Sequence, residues 1–232
     1  MYKRRKMCKV SFRELLGREL NYIEHKYAPN ELYVEGVMKL PLKDPRVSVI
    51  GTRNPSPIGR NVARMIVERL VKEGVMVVSG LARGVDTVAH TTAIEHDGKT
   101  IAVLGTPLDR FYPPENKELQ LTIMREHLAI SQFPPNYATQ RWDFIARDKT
   151  MALISDATVI VEAGAESGTI YQGWEAIRLG RPLYIWKDTF DNPNLTWTSE
   201  MEKNGARRLD KQTIDELIDE LPVSPIDYRV HL

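Results

Sequence analysis

Four short segments hold most of the residues whose types and spacing could do chemistry. GTRNPSPIGR, Gly51 to Arg60, puts Gly51, Thr52 and the cation Arg53 in one loop. SGLARGVD, Ser79 to Asp86, sets Ser79 and Gly80 ahead of Arg83 and Gly84, just before a helical pattern. RWDFIARDK, Arg141 to Lys149, interleaves Trp142 and Phe144 with Arg141, Arg147 and Lys149. GAESGT carries Gly164, Ser167, Gly168 and Thr169. Cations that neutralise phosphates beside rings that stack on bases are a recurring means of holding single-stranded nucleic acid. The competing reading of Arg141 to Lys149 places both rings in the core and the cations on a solvated face.

Several chemistries lack their residues. The Gly51 loop does not end in the Gly-Lys-Ser/Thr that grips β- and γ-phosphates with magnesium, so nucleoside triphosphate hydrolysis is excluded. No G-x-G-x-x-G follows the first strand. His90 and His96 are six positions apart and fall on different faces of a helix, and the acidic residues form no spaced set, so no metal is expected. Ser167 lacks a G-x-S-x-G elbow. Ser167 and Thr169 are instead expected to cap a helix running to about Leu179, each accepting from a backbone N–H. No catalytic residue and no cofactor is expected.

The elements that must position these segments alternate regularly. Apolar, mostly β-branched runs occur at Val47–Ile50, Val75–Val78, Ile101–Leu104, Leu128–Ile130, Val159–Val161 and Leu183–Trp186. Their continuous polarity suits strands buried on both faces. Between them, Arg60–Lys72 and Val85–Glu95 each carry an apolar helical stripe, and Pro113 and Pro114 introduce a helical pattern from Glu115 to Glu126. The fold class is therefore α/β, a doubly wound, mostly parallel sheet. Ligands of such sheets bind beyond the carboxyl ends of the strands, where Gly51, Gly80, Gly84, Gly105, Gly164 and Gly168 fall. Three segments are expected. Residues 1–45 form a charged helical lead-in with a helix over Arg13 to Tyr27, residues 46–187 the core, and residues 188–232 a loop, a short helix over Thr213 to Leu221 and a tail.

Composition bounds the rest. The chain has 232 residues, 42% hydrophobic and 27% charged, with a formal net charge of +1, which suits one globular core. No window approaches a membrane span, and the basic start is followed by charged residues rather than an apolar signal core, so a cytoplasmic protein is expected. The single Cys8 rules out an internal disulfide framework.

VSVIGTR, VVSGLARGVDTVAH, GKTIAVLGTPLDRFYPPEN, ISQFPPN and ISDATVIVEAGAESGT, preceded by NELYVEGVMKL, run in an order and spacing that resembles the DNA-processing protein A family (DprA, also called Smf). The resemblance covers Tyr27 to Trp186, and its SGLARGVD and LDRFYPPEN blocks are distinctive. It implies an extended Rossmann-like core that binds single-stranded DNA without catalysis, protects incoming DNA in natural transformation, helps load the RecA recombinase and forms a homodimer. By the same resemblance Arg53 is a phosphate-binding residue, and Gly80, Arg83 and Gly84 are contacts. The family's F-x-x-R-N-R segment falls on Phe144, Arg147, Asp148 and Lys149, with Phe144 in the DNA pocket and the cations on the backbone.

The chain departs from that pattern in places. Asp148 replaces the usual Asn and brings a negative charge to a DNA-facing segment unless Arg147 takes up the carboxylate. Trp186-Lys187-Asp188 replaces a Gly-containing loop, and there is no room for the helical and winged-helix domains of longer members. Two alternatives remain open: a Rossmann-like sensor of a nucleotide or nucleotide-derived signal, and a nucleoside-monophosphate phosphoribohydrolase. Against the latter, Gln172 stands where those hydrolases carry a glutamate, and an amide cannot act as a base. The near-zero net charge hides local concentration, because cations gather at the sheet edge and in the first ten residues while TIDELIDELP is acidic. That balance suits a salt-sensitive grip on a single strand.

Overall fold

The computed structural model describes residues 5–222; the first basic residues and the Pro-containing tail lie outside the described residues. Nine strands among them, β1 (Arg5–Val10), β2 (Leu32–Gly36), β3 (Arg46–Ile50), β4 (Met76–Ser79), β5 (Thr100–Leu104), β6 (Leu128–Ser131), β7 (Ala157–Ile160), β8 (Leu183–Trp186) and β9 (Arg207–Leu209), form one sheet. Its order is β1-β2-β6-β5-β4-β3-β7-β8-β9. β1 and β2 pair antiparallel, as do β2 and β6, and every other pairing is parallel.

Each of the six apolar runs becomes a strand, displaced by no more than two residues. Alternation within the strands sends side chains to opposite faces. Met76 and Val78 enter one core with α1 (Phe12–Leu16), α6 (Asp143–Ile154), α7 (Thr169–Arg178) and α9 (Thr196–Lys203), whereas Val77 enters another with α3 (Pro57–Lys72), α4 (Val85–Glu95) and α10 (Ile214–Asp219). α5 (Lys117–Glu126) covers Ala102, Leu104 and Ala129 on the α3 side. The sheet is therefore doubly wound, as expected.

The N-terminal segment differs from its expectation. The helix over Arg13 to Tyr27 is two short ones, α1 and α2 (Tyr22–His25), because Gly17 ends the first at φ +73° and Asn21 starts the second with a capping box. β1 and β2 were not anticipated. β2 alternates, with Leu32 and Val34 buried and Tyr33 and Glu35 half-buried, which a search for continuous apolar runs passes over. After β8, α8 (Lys187–Phe190) begins at once, and the Trp186 indole donates to Asp188 at 3.2 Å, so the Trp-Lys-Asp departure opens a helical turn.

The chain fills one side of the sheet from β3 to β6 and then returns past β3 to lay down β7, β8 and β9. The order therefore reverses between β3 and β7. Adjacent loops there run to opposite faces and leave a crevice at the carboxyl ends of the strands.

Candidate functional site

A cleft of about 650 Å³ opens at that reversal. The loop after β3 supplies Gly51, Thr52 and Arg53, the loop after β7 supplies Gly164, Glu166, Ser167 and Gly168, and α7 supplies Thr169, Tyr171 and Gln172. α6 closes one wall with Phe144, Asp148 and Met151, joined by Arg141 and Tyr112. Arg53 and Arg141 are exposed and make no ion pair among the described residues. They are free cations on a concave surface.

α6 was not anticipated as a helix, and it sorts the residues of RWDFIARDK. Trp142 precedes it and is 65% exposed, so it is no core residue. Phe144 is half-buried, with its ring against Gly105, where a Cβ would lie 2.5 Å from the ring, and against Tyr112, with centroids 5.3 Å apart. Arg147 is buried, donating to the carbonyls of Gly80 and Val103 and from Nε to Asp148 at 2.7 Å. It lines the cleft floor but is not the loose phosphate grip expected of it. Its uptake of the Asp148 carboxylate follows the sequence reading. Lys149 points elsewhere: its ammonium lies 3.7 Å from the centroid of the Tyr27 ring, and it does not line the cleft.

SGLARGVD serves mainly to hold this edge together. Ser79 is fully buried and donates to Val49 O at 2.7 Å. Gly80 uses its N–H on Asp86 and its carbonyl on Arg147, and a Cβ there would overlap the Arg147 guanidinium. Gly84, at φ +77°, lets the turn lie on Thr52 and Arg53, since a Cβ would sit 2.4 Å from Thr52 O. Arg83 pairs with Glu115 and does not line the cleft. The PPEN block supports the same turn, because the Asn116 amide donates to Leu81 O and Thr87 Oγ1, both at 2.9 Å, where Leu81 has φ +59°. Ser79, Gly80 and Gly84 thus hold the edge together and do not line the cleft, and Arg83 is exposed in its pair with Glu115.

GAESGT behaves differently. A Cβ at Gly164 or Gly168 would meet nothing within 4 Å, so these glycines answer no packing demand. Gly168, not Ser167, is the N-cap of α7, which has no side-chain cap; the Ser167 hydroxyl, one residue earlier, accepts from Thr169 N–H at 3.3 Å. Thr169 is not a cap either; its hydroxyl accepts from Ser167 at 3.0 Å, since it already lies inside the helix.

Two carboxylates flank the buried guanidinium. Asp86 accepts from the Gly80 and Ala82 N–H groups, at 3.1 and 3.2 Å, and burial raises its pKa against the pull of Arg147. Burial likewise pushes Asp148 up to about 6, with Arg147 opposing and Asp86 adding to the rise. Gln172 is 1% exposed, and its Nε2 has no hydrogen-bond partner among the described residues. Tyr112 and Tyr171 line the cleft although no spacing in sequence links them to it, and Asp86 and Gln172 line it without having been given binding roles. Among the described residues no group of His, Cys, Asp or Glu could hold a metal, and no helix is long and apolar enough to cross a membrane.

Comparison with known proteins agrees with this architecture. The chain is 27% identical to the DNA processing protein DprA of Bacillus subtilis over 200 residues, 86% of this chain and 67% of that protein. It is 38% identical to the Streptococcus pneumoniae DprA over 157 residues, 68% of this chain and 55% of that one. The chain thus spans between about half and two thirds of these relatives. The solved structure of DNA processing protein A from Helicobacter pylori, described for its single-stranded DNA binding mode, superposes with a TM-score of 0.76 at 25% identity, covering 94% of this chain and 98% of that one. Residues 16–222 match the family model for DNA recombination-mediator protein A, so this chain belongs to that family.

Proposed function

We propose that the chain binds single-stranded DNA along the cleft between the β3 and β7 loops, as a non-catalytic DNA-processing protein. The observation that carries this reading is the pairing of two unpartnered guanidiniums, Arg53 and Arg141, with the exposed rings of Tyr112 and Tyr171 on one concave edge. Cations take phosphates and rings take bases, and neither contact requires a particular sequence. The single-stranded DNA binding mode described for the Helicobacter pylori protein supports the same ligand. Homodimerisation and work with a RecA-type recombinase follow from the family resemblance and belong to the proposal.

Fluorescence anisotropy with oligo-dT is expected to give binding that weakens steeply as salt rises. Arg53→Ala and Arg141→Ala should each weaken binding on every sequence and reduce the salt slope by about 0.7. Lys149→Ala should leave the slope unchanged, because its cation lies over Tyr27. The concave cleft, with Gln172 buried in its lining, favours a second reading, a sensor of a single nucleotide. A mononucleotide that raises the melting temperature of a protein unable to bind any oligonucleotide at low salt would select the sensor instead.

A further inference from the structure

α2 is inside out. Its Glu24 is buried, 3% exposed, and accepts from Arg18 and Arg181, whereas Tyr22 is 94% exposed, Ile23 50%, and Tyr27, just beyond the helix, 41%. Four residues of helix do not hold themselves in water. α2 is held instead by those two ion pairs, by the Asn21 capping box and by Arg178, which donates to Ile23 O at 2.8 Å. The chain thus anchors a short platform through polar residues and turns its rings outward. Single exposed rings are ordinary, but two of them with an isoleucine on one anchored turn form a patch of the kind that meets a partner.

Charge narrows the kind of partner. Three cations gather on the Tyr27 ring: the Lys149 ammonium lies 3.7 Å from its centroid, the Arg178 guanidinium 4.8 Å and the Lys26 ammonium 5.1 Å. No two of them are more than about 10 Å apart, close to the screening length at physiological salt, so they repel one another. Glu175 pairs with Arg178, but Lys26 and Lys149 make no ion pair among the described residues. An anion relieves such a cluster, and exposed rings beside it accept flat groups; a polynucleotide offers both. The cleft also leads there. Tyr171 of the cleft and Arg178 lie two turns apart on one face of α7, about 10 Å along its axis. Ile145 of the cleft and Lys149 lie one turn apart on α6. Both helices therefore run from the cleft wall to the Tyr27 ring.

We infer that a single strand leaving the cleft continues over α7 onto α2, where Tyr22 and Tyr27 stack on bases and the exposed Lys26 takes a phosphate. This rests on the single-strand reading above and adds a second contact surface outside the cleft. Lys149 is half-buried and lies against the Tyr27 ring, so it positions that ring rather than gripping the strand.

The test compares oligo-dT of about five nucleotides, enough for the cleft alone, with oligo-dT of about twenty. On the longer strand, Tyr22→Ala and Tyr27→Ala should each weaken binding about tenfold, the loss of one base–ring stack. Lys26→Gln should lower the salt slope there by about 0.7. On the shorter strand all three variants should match wild type. Tyr22 stands almost wholly in solvent, so Tyr22→Ala keeps the fold, and Tyr27→Phe, which retains the ring, should bind the longer strand as wild type does. Undiminished binding of the longer strand by both alanine variants would overturn the second surface and leave cleft binding standing. Equal losses on the two lengths would overturn it as well. Absence of wild-type binding to either length at low salt would defeat the single-strand reading, and the second surface with it.

Discussion

Arg147 donates to Gly80 O and Val103 O and pairs with Asp148, which joins the carboxyl ends of β4 and β5 to α6 through one side chain. A guanidinium suits this place because its planar fork reaches several acceptors at once and stays charged when buried. Removing it would leave the buried Asp86 and the half-buried Asp148 carboxylates without the cation that acts on both. Arg147→Ala is therefore expected to cost about 3 kcal/mol of stability, as breaking a buried ion pair usually does, measured by urea unfolding. A loss below 1 kcal/mol would show that the carboxylates are readily rehydrated. Sequence alone gave Arg147, Arg53 and Lys149 equal standing as cations. Residue type cannot tell a solvated cation from a buried one, and only the packing of α6 on the strands separates them.

At the scale of elements, the turn from β4 into α4 and the loop after β3 form one unit. Val85 N–H donates to Thr52 O at 3.2 Å, and Gly84 lies flat against Thr52 and Arg53. Gly84→Ala adds a Cβ where φ is +77° and the nearest carbonyl oxygen would be 2.4 Å away. It is expected to lower stability by about 1–3 kcal/mol and to weaken oligonucleotide binding by moving Arg53. Gly164→Ala, with open space around it, should stay within about 0.5 kcal/mol of wild type in the same thermal melts. Equal losses at both positions would contradict the division into framework and cleft glycines. The six core strands were readable because continuous β-branched runs mark strands covered on both faces. β2 was not, because its side chains alternate between buried and half-buried, and β1 was not, because it is the mostly exposed strand at the edge of the sheet.

For the whole molecule, stability against pH follows from where its carboxylates lie. The Asp148 pKa is raised from its ordinary 3.8 to about 6, chiefly by burial. Its stabilising contribution is therefore fully present below the unfolded value and is lost as pH rises through about 6. Glu24 has the opposite sign: despite burial, which pushes it up, hydrogen bonds from Arg18, the Asn21 N–H and Arg181 hold it at about 2. Its contribution is present above 4.5 and lost as pH falls toward 2. Asp148→Asn is accordingly expected to be more stable than wild type at pH 8, by about 2–3 kcal/mol, with the gap closing by pH 4. A gap independent of pH in urea titrations would contradict a buried, titrating Asp148. The sequence by itself determined the family, the doubly wound sheet and the edge on which the cleft opens, because strand periodicity, turn glycines and the SGLARGVD and LDRFYPPEN blocks are local patterns. Tertiary structure alone decided which cations remain free, that Ser79, Gly80 and Gly84 pack into the sheet edge, and that Asp148 and Gln172 line one cleft. Those properties depend on burial and on contacts between segments far apart in the chain, and no local pattern encodes them.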